Sequence, residues 1–461
     1  MLPTRGREAE VFHDAAKCGD VAVVQEQLER GVDIHSWNDA ALHRAVENGH
    51  VAVTELLLKH GADLHAHNGV VLTIAAQNGH VDIVRILLDS GVELQKTQDW
   101  ALQTAAAHGH FAVVKLLLEH GAAPYYKAFC AAVENGHVAI VELLLNHGVD
   151  AKYDDNCPLR DAARNGHIAI VRLLLCHGAD TCDRRALCFA AKRGHLEVVR
   201  VLLDHSVELY VWNNEALCDA AEHGHVEVVA ELLDRGAAID EQGGAAMCKS
   251  VLNGHIAVVQ LLLDRGADVH TNEEQALFHA ARKGHVDIVR LLLERGAIVR
   301  DSLFVLDAVA TFGDVTILRL LLEHGANALQ KGLALGTAVT FQNIAVVQLL
   351  LEHGADVHSF HDRALRRAVR YGDDGITDLL LRHGADVHIG KDCVLYDAVR
   401  RGYAAVVRVL LSHGANACAR NVLRCAIRKE NKEITTLLLQ HGADLHAIPE
   451  VERRFVSSMD K

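Results

Sequence analysis

Apolar positions recur along this chain in two alternating helical patterns. In Ala41–Asp63, read ALHRAVENGHVAVTELLLKHGAD, Leu42, Ala45 and Val46 fall on one face of a helix. Val51, Val53, Leu56, Leu57 and Leu58 give the following segment a broader apolar face. Gly49 and Gly61 close the two segments, at positions where the left-handed conformation that ends a helix suits glycine. The pattern predicts helix, glycine turn, helix and glycine cap, with residues 63–71 crossing to the next copy. A pair this short cannot bury two apolar faces alone and requires neighbours.

The neighbours are present. The first glycine recurs from Gly19 to Gly402, mostly in steps of 30 residues with exceptions of 27, 28 and 29. Two further copies keep the frame without it, at Gln342 in AVTFQNIAVVQLLLEHGAD and Glu430 in AIRKENKEITTLLLQHGAD, which makes 15 units. The second glycine follows 12 residues after each first position, replaced once by Ser206. Two punctuation marks in phase over this length predict an all-α helical solenoid. All four prolines, Pro3, Pro124, Pro158 and Pro449, are placed between predicted helices or in the tails.

The segments AAQNGHVDIVRILLDSGVE and AARKGHVDIVRLLLERGA resemble the ankyrin repeat pattern A-A-x-x-G-H-x-x-I/V-V-x-x-L-L-x-x-G-A-D almost letter for letter. Ankyrin units commonly run about 33 residues and open with T-P-L-H. Here the T-P is absent and the shortening falls between Asp63 and Leu72, where the family carries its β-hairpin finger. The resemblance therefore implies short connecting loops or reduced fingers, similar to the 30-residue ankyrin repeats of giant DNA viruses and some lower eukaryotes. It covers residues 11–446, expected as one elongated solenoid domain, with a polar tail at 1–10 and a second tail at 447–461. The polar first unit and the Lys-bearing last unit suit terminal caps.

Composition narrows the chemistry. No apolar run approaches the roughly 18 residues of a membrane span, and MLPTRGREAEVFHDAAK lacks the apolar core of a secretory signal. Eleven cysteines without a paired spacing point to a reducing, intracellular setting, cytoplasmic rather than nuclear. The net charge of −14 argues against a general nucleic-acid binder. It is unevenly spread: residues 361–461 carry 17 Lys/Arg against 13 Asp/Glu, a net +4, whereas residues 1–360 carry 29 against 47, a net −18.

Thirty-two histidines invite a metal or catalytic reading, but 25 are register positions. Nine follow the first glycine (such as His50 and His110), ten precede the second-glycine position (such as His60 and His120), and six close the G-A-D-V-H type phrase (such as His35 and His358). In ankyrin-like turns the Gly-His imidazole ties neighbouring loops by hydrogen bonds, and a histidine before the cap suits the helix C-terminus. Same-register histidines lie about one repeat apart, roughly 8–10 Å, whereas zinc needs ligands at about 2 Å. Cys130, Cys188, Cys218 and Cys248 share one register, too widely spaced for disulfides, and read as small buried hydrophobes. Gly243–Gly244 belongs to no phosphate loop, and no nucleophile–base arrangement recurs. No metal, cofactor or enzymatic activity is expected.

The informative positions are those that vary within the fixed frame. The resemblance places partner contacts on the fingers and on the two residues before the first glycine, which line the concave face. In the last five units those pairs include Phe312, Phe341 and Tyr371 in one register and Arg370, Arg400 and Arg428 beside them, with Arg401 and Lys429 following. Aromatic and arginine side chains are common anchors of binding surfaces; the alternative is that Phe312 and Phe341 turn inward as filler. A second candidate set lies in the connectors: Trp37, Trp100, Tyr125, Tyr126, Tyr153, Tyr210 and Trp212, either exposed for contact or packed on the next loop. The resulting expectation is a monomeric, non-enzymatic scaffold that binds a protein partner. The alternatives are a substrate-recruiting adaptor (for a ubiquitin ligase or in host manipulation) and a binder of an anionic ligand at the basic C-terminal repeats.

Overall fold

The computed structural model describes residues 4–92, 94–180, 184–205, 213–302, 304–419, 421–445 and 449. Among the described residues there are thirty α-helices, one short 3-10 turn at Val299–Asp301 and no strand. They pair into eight helix–turn–helix repeats in one compact unit, Met1–Ala238, and seven in another, Ile239–Lys461. Within each unit first helices stack on first helices and second helices on second helices, the solenoid arrangement that the period demands.

The repeat at 41–63 shows how the letters build it. Ala41, Leu42, Ala45 and Val46 are fully buried on the helix Ser36–Glu47, as are Val53 and Leu57 on Val51–Lys59. Burying each larger aliphatic side chain contributes about 1.5–3 kcal/mol. Gly49 adopts φ 78°, with its N–H bonded to the Val46 carbonyl and the His50 N–H to the Ala45 carbonyl, a Schellman termination. The second helix ends identically: Gly61 donates to Leu58 and Ala62 to Leu57, and the Ala62 side chain is buried. The G-A of the repeated G-A-D phrase is therefore a helix stop followed by its small apolar contact.

The aspartate of that phrase is a turn residue. Asp63 Oδ1 accepts the His65 N–H at 2.8 Å, and its own N–H donates at 2.9 Å to Oδ1 of Asp39, 24 residues earlier. Asn156 accepts the Asp180 N–H at 2.9 Å and Asn214 the Ala238 N–H at 2.7 Å in the same way. In the second unit Gln330 is fully buried and donates from Nε2 to the Val299 and Ser302 carbonyls, both at 2.8 Å. Each of these is a buried polar side chain satisfied by connector backbone, as burial requires. Histidines of the third register pair with the same carboxylate positions: His35 with Asp39 (3.1 Å), His270 with Glu274 (2.6 Å), His358 with Asp362 (2.8 Å) and His388 with Asp392 (2.7 Å).

Among the described residues the connectors are short, as expected, and none forms a hairpin finger. Three run directly into the first helix through left-handed backbone: Trp37, Asn38 and Asp39 have φ of 53°, 62° and 59°, and Asp154–Asn156 and Phe360–Asp362 repeat the device. With three fewer residues than a finger requires, the chain reverses in a single left-handed turn instead. Pro158 corrects its expected place between helices, since it lies within Tyr153–Asn165. It follows the left-handed break at Asp154–Asn156, in the first turn of the regular helix, where a missing N–H is harmless. Residues 4–10, expected as tail, continue the helix Thr4–Cys18. Of the cysteine register, Cys188 is buried while Cys130, Cys218 and Cys248 are only half-buried.

Candidate partner-binding surface

On the described first helices the alanine, leucine and valine positions face the stack, which leaves the pairs five and six and one and two residues before the turn position toward the open side, with Cys188 a buried exception. Turn histidines bind the stack together at one edge of this open face. His50 Nε2 donates to the Lys17 carbonyl at 2.8 Å, His110 to Gln77 at 2.9 Å, His137 to Ala107 at 3.0 Å and His167 to Glu134 at 3.0 Å. A carbonyl only accepts, so these rings carry their proton on Nε2. The histidines before the second glycine do the opposite: Nδ1 of His60, His120 and His147 donates to the carbonyl four residues back at 2.9, 2.9 and 2.8 Å. Both registers thus have direct hydrogen-bonding roles, the first between repeats and the second within a helix.

From Gly313 onward the turn changes character. Asp314, Asn343, Asp373 and Asn431 replace histidine and accept N–H groups of their own second helix as N-caps. Gln342 and Glu430 hold the glycine conformation at φ 55° and 53°. The aromatic register sits beside these turns. Phe312 is 67% exposed, Phe341 57% and Tyr371 44%, so the rings point outward and do not fill the core. Arg370, Arg400, Arg401, Arg428 and Lys429 are exposed on the same helical face.

Polar links cross the open face between consecutive repeats here. The Thr337 hydroxyl donates to the Asp307 carboxylate, and Arg367 Nη1 donates to the Gly336 carbonyl at 2.7 Å and to the Thr340 hydroxyl at 2.5 Å. Burial holds the Arg367 guanidinium below its ordinary pKa, with Arg363 adding to the effect. Further along, Arg400, Arg428 and Lys429 come together with Tyr396, Asn421, Arg424 and Cys425 around a cleft of about 410 Å³. Tyr396, Arg424 and the exposed Arg366 were not among the residues singled out from sequence. They occupy the position six residues before the glycine, which shares a face with the pair that was read.

The connector aromatics divide. Trp37 stacks on His13 of the preceding repeat, centroids 4.4 Å apart, with the Arg44 guanidinium 6.0 Å from its ring, yet remains 53% exposed. Trp100 is 65% exposed. Tyr126 stacks on Tyr153 of the next repeat at 4.4 Å and tilts against Tyr125 at 4.7 Å, so these three half-buried rings pack on one another. Tyr210 and Trp212 lie outside the described residues.

Several thiols among the described residues are held in the protonated form, the opposite of an activated nucleophile. Burial pushes the Cys130 thiol up to about 12, and likewise raises Cys157 and Cys248. Among the described residues no group of three His, Cys, Asp or Glu side chains could hold a metal ion.

Comparison with known proteins agrees with the repeat anatomy. A model of three ankyrin repeats matches residues 12–98, 62–128, 102–185, 180–243, 238–302 and 365–448. The unmatched stretch, 303–364, contains the turns in which Phe312 and Phe341 stand and histidine is absent. The crystal structure of the human ASB11 ankyrin repeat domain aligns at 24% identity with a TM-score of 0.39, over 43% of this chain and 98% of that one. No curated protein sequence matches the chain. With its G-H turns, Schellman stops and inter-repeat imidazole bonds matched over most of its length, the chain belongs to the ankyrin repeat family.

Proposed function

We propose that this protein is a binding scaffold whose partner protein docks on the concave, open face of the first helices in the repeats spanning residues 305–429. Ankyrin repeats are protein-interaction modules, and no helix among the described residues is long and apolar enough to cross a membrane. The observation that carries the reading is the outward exposure of Phe312, Phe341 and Tyr371 in one register of three successive repeats. Water-exposed rings aligned with arginines form the kind of patch that partners bury. The stack holds them in place, so little ordering entropy is lost on docking.

A photoreactive phenylalanine analogue at position 341 tests this. Irradiation in cells should join the chain to a discrete partner that the same analogue at Arg319, on the helix Val315–Glu323, does not capture. Equal capture at both positions would count against the surface.

A further inference from the structure

The proteins that fit the far end of this face can be specified further. We infer that the cleft at Tyr396, Arg400, Asn421, Arg424, Arg428 and Lys429 is a docking site for a phosphorylated peptide segment of the partner. The inference rests on the reading of the open face as a partner-binding surface and names the chemistry of what that surface holds at its C-terminal end.

Charge is the first support. In the last three repeats, the four open-face positions of each first helix hold eight Lys/Arg and one acidic residue, Asp397, in a chain whose net charge is −14. A chain selected only for solubility would not gather its cations against its own overall sign on a single face. Asp397 engages Arg400 at 3.3 Å, and Arg424 and Arg428 also make contacts within the fold. The cleft itself is lined by four cations and no carboxylate.

Shape is the second. The cleft is a solvent-open groove of about 410 Å³ between the helices Ile389–Arg401 and Val422–Arg428, enough for one side chain and its flanking backbone. Arg400, Arg428 and Lys429 are exposed at its walls and Arg424 is half-buried within it. A phosphoryl group presents close to two negative charges and three acceptor oxygens. A guanidinium fork binds two such oxygens at once, as it does a carboxylate, but a phosphoryl group keeps a further oxygen and charge for a second cation. Tyr396 adds a flat apolar wall for the residue beside the phosphate, and the Asn421 amide can donate to peptide backbone.

Extent is the third. Earlier repeats place cations on this face too, as at Lys192, Arg193, Arg282 and Lys283, but only the last three consecutive repeats gather eight, and residues 1–360 carry −18. A nucleic acid gains affinity from a long track of phosphate contacts, which a short patch on an acidic chain does not provide. A peptide with one or two phosphates needs only the patch.

The test uses the full chain and a peptide library with a fixed phosphoserine between degenerate flanks. Its unphosphorylated counterpart, a single-stranded 20-nucleotide DNA and inorganic phosphate serve as comparisons. The phosphorylated library should be retained about tenfold or more over the unphosphorylated one, the scale of one or two charge-assisted bonds. Arg400→Glu with Arg428→Glu should abolish that preference at unchanged melting temperature. Lys429→Glu, at an exposed side chain, provides an independent variant should the pair fail to fold. Equal retention of the two libraries, stronger retention of DNA, or displacement of the peptide by equimolar inorganic phosphate would each overturn the inference. A chain changed to alanine at Phe312, Phe341 and Tyr371 should keep its phosphopeptide preference. If it loses its partners while no variant shows such a preference, the scaffold reading stands and this inference falls.

Discussion

The imidazole of His110 occupies the space that a β-carbon on Gly79 would need. A Cβ built there would lie 2.6 Å from His110 Nδ1, while Nε2 of the same ring holds the Gln77 carbonyl at 2.9 Å. At position 79 glycine is thus required twice, by φ 73° and by the ring of the next repeat. At Gly91, the second stop, φ is 88° but nothing lies within 4 Å of such a Cβ.

Gly91→Ala should therefore cost about 1 kcal/mol, the left-handed strain alone. Gly79→Ala should cost at least about twice that, because the ring must leave and a bond worth about 1 kcal/mol goes with it. Urea midpoints of the two variants check this, and equal midpoints would contradict the role given to His110.

The two histidine registers should differ in tautomer. His50, His110, His137 and His167 donate from Nε2, whereas His60, His120 and His147 donate from Nδ1. Long-range proton–nitrogen spectra at neutral pH should show two groups of imidazole patterns, separated by register. A single shared tautomer would refute the assignment.

Gln342 and Glu430 adopt φ of 55° and 53°, where a side chain is strained and glycine is not. Gln342→Gly and Glu430→Gly should each stabilise their repeat by up to about 1 kcal/mol, less the extra freedom glycine has when unfolded. Denaturation midpoints that fall would show that these side chains make contacts worth more than the strain.

Much of this was legible in the letters, and what was not has a physical reason. The 15 units and both glycine stops follow from period alone, because a stop residue reports its own backbone. The left-handed turns at Trp37–Asp39 and Asp154–Asn156 were passed over: Asn and Asp are enriched at positive φ, but far less than glycine, and Trp37 gives no such signal. The stack of Tyr126 on Tyr153 was not legible from register, since the two stand 10 and 13 residues before Gly136 and Gly166. Tyr396 and Arg424 were passed over because only the pair before the glycine was read, although helical period places the earlier pair on the same face. That the phenylalanines face outward needed coordinates, because the same residues could have filled a loosened turn.

Two histidines, His13 buried and His279 half-buried, make stability depend on pH. Burial holds His13 below the ordinary histidine value, reinforced by Arg44 and opposed by Asp14, and its Nδ1 has no hydrogen-bond partner. His279 is lowered by burial and then by Arg282 and Lys283, and its Nδ1 is likewise unpartnered. The unfolded chain takes up these protons first, so their stabilising contribution is whole above about pH 6.5. It is lost as pH falls from there through the lower folded values. His13→Gln and His279→Gln should each flatten the urea midpoint between about pH 7 and 5. A midpoint with unchanged pH slope in both variants would remove these residues from the account.

The central claim is that the outward aromatic register is a contact surface. Its most direct test is quantitative partner capture by the natural chain and by the Phe312→Ala, Phe341→Ala, Tyr371→Ala variant, with melting followed on both. The account predicts that captured partners fall by tenfold or more, on the scale of about 1–2 kcal/mol for each anchor lost, while the melting temperature holds. Unchanged capture together with a lowered melting temperature would contradict it and make those rings part of the fold.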